Sequence, residues 1–346
     1  MKPAILLIPA VLTLSFAGCA IMRKTAVGPD RGEHWRALHV LNYNNDNALE
    51  RFGKQIPGLA KMGLNTLILE VDYNYEFQSH PELRSPGRVI TKEGARKFAA
   101  LCRKNDIRLI PQFQCLGHQS WAKTTFPLLT KYPEFDLTPG AFPGNEGLYC
   151  REWDVTNPQV YVIVFDLLDE IIDGFQASAV HTGMDEIFLL GSDQSPSTKG
   201  KDPAVLFAKA VNDLYGHLVK KRRVEMIIWA DRLIDGSKYN FGKWESSVNG
   251  TAPALDMIPK DIILSPWHYE PRESYPSIPV FLEKGFRVIP ASWHKPDACR
   301  MLIEYSLARK NPNMLGHTFT TWGKAPEDIT AYPPLANGLP LLKGNR

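Results

Sequence analysis

Two adjacent carboxylates, Asp185 and Glu186, follow the run Ala179-Val180-His181-Thr182-Gly183-Met184. The run is apolar and of strand type, and Gly183 permits a sharp change of direction. Consecutive side chains then need not point to opposite faces, as they would along a regular strand. Both acids can look into one cleft. Close together in a partly dry site they would not titrate alike, so one could keep a proton near neutral pH while the other stayed charged. That pairing is what cleavage of a glycosidic bond requires. The plainer alternative is that both residues cap whatever follows the strand.

Other segments carry residues of the same kind. Gly117-His118 is followed by Trp121, Trp229-Ala230-Asp231-Arg232 by Trp267-His268-Tyr269-Glu270, and these by Trp293-His294 and by Trp322 with Lys324. Indole faces suit the C–H face of a pyranose, and carboxylates and imidazoles suit its hydroxyls. Together they describe a sugar-binding cleft. No metal is expected: the first strand offers His39 alone, and His181 and Asp185 do not converge naturally as ligands. No G-x-S-x-G elbow supports a serine hydrolase, and no cofactor motif is present.

Strand-like runs alternate with helical patterns along the chain. The strands are read at Arg36–Asn42, Thr66–Val71, Ile107–Gln114, Ala177–Thr182, Val224–Trp229, Ile262–Ser265, Phe286–Ala291 and Leu315–Thr321. Helices are expected at Ala48–Met62, Lys92–Asn105, Pro158–Asp173, Pro203–Lys221, Pro279–Lys284 and Pro296–Arg309, with a long loop over 115–156. Eight such units predict an α/β fold, a (β/α)8 TIM barrel forming one catalytic domain over 34–324, with a patternless tail at 325–346. A doubly wound open sheet is the alternative. In a barrel every chemistry-bearing segment above stands at the C-terminal end of a strand, where barrel active sites lie. Glu70 and Asp72 of the second strand join them.

The 346 residues carry 40 basic and 37 acidic side chains, a net charge of +3, which gives no nucleic-acid footprint. Lys2, the apolar run Ala4–Phe16 and the closing Phe16-Ala17-Gly18-Cys19 read as a lipoprotein signal peptide over 1–18, with lipidation at Cys19 and a polar tether over 19–33. An exported bacterial lipoprotein of the outer membrane or cell surface is expected, anchored by Cys19, or a periplasmic protein if the signal is an ordinary one. Cys102, Cys115, Cys150 and Cys299 form no C-x-x-C pair, and either a disulfide or buried thiols would suit them.

The segment His181-Thr182-Gly183-Met184-Asp185-Glu186 resembles the H-x-G-G-D-E signature of glycoside hydrolase family 20, the β-N-acetylhexosaminidases. Leu116-Gly117-His118 is similar to the family's P-G-H segment, Trp229-Ala230-Asp231 to its W-x-D, and Trp322 to the tryptophan of its last strand. The resemblance covers roughly 34–324. It implies an exo-acting, retaining, substrate-assisted hydrolase of terminal β-linked N-acetylhexosamine, GlcNAc or GalNAc, with a glycan as partner. On that reading Glu186 is the acid and base, and Asp185 orients the acetamido group. Arg36 binds sugar hydroxyls, His118 tunes the acid with Asp72, and His181, Trp229, Trp267 and Trp322 shape the pocket. Tyr269, or Tyr275 in its place, bonds the acetamido oxygen. Two departures stand out. Met184 replaces a glycine and is expected to crowd the acid. Lys324 stands where the family has W-x-E, which suggests a different, acidic or sulfated, sugar. A non-catalytic glycan-binding lipoprotein is the remaining alternative.

Overall fold

Alternate residues of each strand run have separate destinations, because successive side chains point to opposite faces of a sheet. In a computed structural model describing residues 32–324 and 326–343, the inward set meets in one apolar layer. Trp35, Ala37, Ile68, Ile110, Ala179, Ile227, Ile263, Ile289 and Leu315 form it, with every one of eight staves contributing. The outward set, including Leu38, Leu69, Phe113, Val180 and Ile228, packs under the surrounding helices in a much larger core.

The staves are Trp35–Val40, Thr66–Glu70, Arg108–Cys115, Ala179–Gly183, Glu225–Trp229, Ile263–Ser265, a seventh in two pieces (Arg287–Val288 and Ala291–Ser292), and Gly316–Thr320. All neighbours pair in parallel. The first strand pairs with both the second and the last, as in Leu38↔Leu67 and Leu38↔Phe319. The split seventh stave completes the ring. Its lower piece pairs with the sixth strand (Leu264↔Val288) and its upper piece with the eighth (Ala291↔Thr318). Pro290, which has no N–H to give a ladder, sits at the break. The sheet is a closed TIM barrel, as the alternation of elements predicts.

Local differences from the sequence reading have local causes. The expected helix Ala48–Met62 is two helices, Asp46–Gly53 and Ile56–Met62, because Pro57 can occupy only a first turn. The loop over 115–156 contains a small antiparallel ribbon, Ser120–Trp121 against Thr124–Thr125. The tail is not patternless. Pro333–Gly338 is helical, Tyr332, Leu335, Leu339 and Leu342 are buried, and the Tyr332 hydroxyl donates to the Thr320 carbonyl at 2.9 Å. It belongs to the barrel rather than trailing from it. Cys102, Cys115, Cys150 and Cys299 are buried free thiols. The signal peptide, Cys19 and most of the tether lie outside the described residues. Among those described, no helix is long and apolar enough to cross a membrane.

Candidate active site

Above the apolar layer the same inward positions turn polar. Glu70, Gln112 and His181 stand side by side in register across three strands, with His39 close by on the first. Beyond them the backbone leaves strand geometry abruptly. Left-handed φ values occur at Asp72 (45°), Leu116 (67°), His118 (51°), Met184 (77°), Glu186 (53°) and Trp322 (36°), all just past strand ends. Such conformations are costly for residues with a Cβ, and they persist where surrounding packing over-determines them. At Gly183, with φ of 66°, a Cβ would also collide with the Gln114 amide, so glycine is required twice over.

The turn at Gly183 brings both acids into the barrel mouth. Asp185 accepts a hydrogen bond from Gln114 Nε2 at 2.5 Å and faces His118 Nε2 at 3.4 Å. Glu186 faces the same His118 nitrogen at 3.1 Å and accepts from the Tyr149 hydroxyl at 2.7 Å. One imidazole therefore bridges two carboxylates. Burial works against a charge on His118, but the charge of Asp185 and bonds to Asp185, Cys150 and Glu186 prevail, and its pKa is well above the ordinary value. For Asp185 burial pushes upward, yet the His118 charge and the bonds from His118 and Gln114 hold it below the usual carboxylate range. Asp185 is thus the committed anion. Cys150 Sγ lies 3.3 Å from His118 Nδ1 and closes the far side of the ring.

A second buried set fixes the backbone. Asp231 accepts from the Glu186 N–H at 2.9 Å, from Arg232 Nε at 2.7 Å and from Trp267 Nε1 at 3.3 Å. The acid-bearing turn, the fifth strand and an indole are tied to one carboxylate. Burial raises Asp231 to about 6, opposed by Arg232. The indoles form a wall: Trp229 and Trp267 pack together with Tyr269 and Trp322 against them. The Tyr269 hydroxyl accepts from Trp322 Nε1 at 2.6 Å. At the rim Tyr149 leans on Trp244 (4.7 Å between ring centres) and on Trp121 (5.9 Å). These last two indoles are 39% and 57% exposed, unusual for so large an apolar side chain.

An aromatic-walled pocket with one ionised and one adjacent carboxylate is glycosidase-like geometry, and the family comparison agrees. The model for glycosyl hydrolase family 20, catalytic domain, matches residues 44–323. The chain belongs to this family. Among curated relatives, a β-hexosaminidase of Emericella nidulans is 24% identical over 286 residues, covering 75% of this chain and 43% of that protein. β-Hexosaminidase subunit A2 of Dictyostelium discoideum is 30% identical over 169 residues, 45% of this chain and 28% of that one. The chain therefore spans less than half the length of either relative. The chitobiase structure from Flavobacterium johnsoniae superposes with a TM-score of 0.65 at 19% identity, over 89% of this chain and 48% of that one. A β-N-acetylhexosaminidase from Bacteroides fragilis gives 0.59 at 14%, over 89% and 65%. At such identities the superpositions speak for the fold.

The structure of this family 20 member gathers most of the expected residues but not all of them. Asp185, Glu186, His118, Trp267, Tyr269 and Trp322 share the mouth, with Trp229 fully buried behind Trp322. Asp72 is nearby but bonds the Gln114 N–H at 2.7 Å, while His118 Nδ1 turns to Cys150 instead. Burial lifts Asp72 to about 6. His181 lies beneath the floor, with its ring 4.3 Å from that of Trp229 and kept neutral by burial and by His39. Arg36 is the correction. It points outward from the N-terminal half of its strand, where its guanidinium donates to the carbonyls of Gly63 and His34. The strand alternation that sends Trp35 and Ala37 inward sends Arg36 out, at the end of the barrel opposite the mouth. Tyr275 is likewise removed, buried with its hydroxyl on the Glu270 carbonyl and the Arg272 N–H. Met184 does not crowd the acid: its side chain is fully buried in the outer core, facing away from the cleft.

Gln114, Tyr149, Cys150 and Trp244 belong to the site without having been singled out in the sequence. Gln112 and Gln114 had a visible signal, two polar residues at period two in an otherwise apolar strand. Tyr149 and Cys150 sit in a long loop with no periodicity to mark them. Among the described residues, His118, Asp185 and Glu186 are also grouped closely enough to hold a cation, each offering one atom within 4.8 Å of the others.

Proposed function

We propose that the protein is an exo-acting β-N-acetylhexosaminidase that works by substrate-assisted, retaining catalysis. One observation supports this above the rest: a single imidazole, His118 Nε2, contacts both Asp185 and Glu186. A double-displacement glycosidase needs its carboxyl groups flanking the scissile bond, roughly 5 Å apart, one of them as nucleophile. Here the two carboxylates lie within 4.8 Å of each other, so it is their arrangement and not their spacing that differs. Sequence neighbours converging on one ring nitrogen approach from one side and suit a different division of labour. Glu186 protonates the leaving oxygen and later takes a proton from water. Asp185, held ionised, accepts from the acetamido N–H and stabilises the oxazolinium charge as the acetamido oxygen attacks the anomeric carbon. Trp229, Trp267 and Trp322 wall the pocket in which the acetamido group and sugar sit, and the Tyr269 hydroxyl is placed to bond the acetamido oxygen. Trp121 and Trp244, exposed at the rim, offer faces to the aglycone side.

The relatives named as β-hexosaminidases support the same reading. The test is hydrolysis of aryl 2-acetamido-2-deoxy-β-glucoside and -galactoside by the full chain in detergent, beside Glu186→Gln and Asp185→Asn. Collapse in both variants, with release of the β-anomer first in the native protein, is expected. Turnover of aryl β-glucosides lacking the acetamido group would sink the mechanism.

A second reading of specificity has its own observation. Lys324 has no carboxylate within 4 Å among the described residues, and its ammonium stands over the Trp293 ring at 5.1 Å, beside the indole wall. A terminal sugar carrying sulfate or carboxylate would meet that cation. Comparing 6-sulfated with plain aryl GlcNAc would show it. Export and lipid attachment at Cys19 complete the proposal, with the membrane reached through that anchor. Fatty-acid labelling that disappears in Cys19→Ala would support it.

A further inference from the structure

The helix Lys92–Lys104 carries Lys92, Arg96 and Arg103 at i, i+4 and i+11, one stripe along its length. The stripe forms one wall of a trough of about 1030 Å³, whose other side is the last turn of the helix Pro158–Phe175 (Ile172, Asp173 and Phe175) and the starts of the neighbouring strands. Arg108, Arg222 and Arg223 add to its lining, against Asp173 as its one carboxylate. Two of the six cations are neutralised: Arg108 by Glu225 at 2.5 Å, and Arg222 by Asp169 at 3.5 Å and Asp173 at 2.5 Å. The other four, Lys92, Arg96, Arg103 and Arg223, have no carboxylate within 4 Å among the described residues, although Arg103 donates to Gln176 Oε1 at 2.7 Å. For a chain whose net charge is +3, this is a concentrated field.

The shape narrows the ligand. From Lys92 to Arg103 the stripe extends about 16 Å at the helical rise. Helices in this fold run back from the mouth to the opposite end, so Lys92 is the end nearer the mouth. Its N–H donates to Glu76 of the loop that follows the second strand and carries Asp72. A long concave trough admits a chain, whereas a bilayer surface would touch only its lips, and a single small anion would leave most of the cations idle.

We propose that this trough is a second glycan site, binding a linear anionic polysaccharide bearing sulfate esters or carboxylates, and so keeping the polymeric substrate on the enzyme while its terminal sugar occupies the mouth. That the ligand is a glycan rests on the glycosidase reading; that it is a linear polyanion rests on the trough alone. The site is remote from the reacting atoms, so it acts on polymers and leaves small aryl glycosides untouched.

The experiment measures binding of fluorescent dextran sulfate, polygalacturonate and neutral dextran to the full chain in detergent micelles, at low and high salt. Arg96→Glu with Arg103→Glu is compared with the native protein, and Arg96→Gln with Arg103→Gln serves as the milder pair. Binding of one or both anionic polymers but not dextran is expected. It should weaken by about tenfold in the reversed pair, a few-fold per exposed charge contact, and weaken with salt as screening requires. Aryl-glycoside turnover should be unchanged, which also reports that the variants fold. Equal binding by native and reversed protein, or none by the native protein, overturns the site. So does charge-dependent binding confined to phosphatidylglycerol-doped micelles or to inorganic phosphate, which would assign the trough to a lipid headgroup or a phosphate ion. Charge-dependent polymer binding in a protein inert toward every aryl glycoside would keep the trough and remove the glycosidase reading instead.

Discussion

Replacing Gln114 by Met tests how Asp185 is kept ionised. Gln114 Nε2 lies 2.5 Å from Asp185 Oδ1, a charge-assisted bond in a buried setting. Hydrogen bonds to charged groups are worth about 1.5–3 kcal/mol. Losing the bond removes one of the groups that hold Asp185 below the usual carboxylate range, so its pKa would rise if nothing compensated. His118 remains 3.4 Å away and takes up part of the loss, so a partial rise is expected. Met is close in volume and leaves the Gln114 N–H on Asp72 in place. It also removes Gln114 Oε1, which is buried without a partner, so stability should change little. The variant should therefore fold normally and fail chemically. Its kcat/KM for an aryl N-acetylglucosaminide should fall about ten- to hundredfold, since a misplaced orienting group costs on that scale. The acid limb of its pH profile should move to higher pH. An unmoved acid limb in a variant with native melting behaviour would refute the claim that Gln114 helps hold Asp185 charged.

Three other substitutions separate the roles assigned above. His118→Asn breaks a buried pair and should cost about 3–5 kcal/mol near neutral pH by urea unfolding. His118 is raised, so its contribution is full below its unfolded value of about 6.5 and is lost as pH rises through its folded value. Asp185 is lowered, so its share is present above about 3.9 and is lost as pH falls through its folded value. The gap between native and His118→Asn should accordingly narrow toward both extremes, and a gap that widened monotonically with pH would contradict the pairing. Met184→Gly relieves a left-handed residue, worth about 1–3 kcal/mol, but empties a buried side-chain site worth about 2–5 kcal/mol. Thermal unfolding should show a net loss with turnover largely kept, and abolished turnover would place Met184 in the cleft after all. Arg36→Ala should leave KM for aryl glycosides unchanged, because the side chain bonds Gly63 at the far end of the barrel; a large KM increase would reverse that placement.

What the sequence made legible followed periodicity, and what it hid followed from loops and direction. Eight apolar runs with helical intervals were enough for a barrel, because a strand buried on both faces cannot hide its composition. The carboxylate turn was visible because Gly183 precedes two acids, and the indoles because they recur at strand ends. Arg36 shows the limit of that logic: lying on a barrel strand does not place a side chain in the mouth. Direction decides, and the inward path of Trp35, Ala37 and His39 leaves Arg36 on the outside, three residues before His39 of the polar layer. The same parity, applied to the third strand, would have selected Gln112 and Gln114, which lie in phase with the inward Ile110. Tyr149 and Cys150 obey no such rule, since the long loop after the third strand folds back to bring them to Glu186 and His118. Met184 is the subtlest case. As a bulky residue between a required glycine and the acids it reads as an intruder. Yet the left-handed turn that swings Asp185 into the cleft swings Met184 out of it, so backbone conformation rather than side-chain size decides what the acid meets.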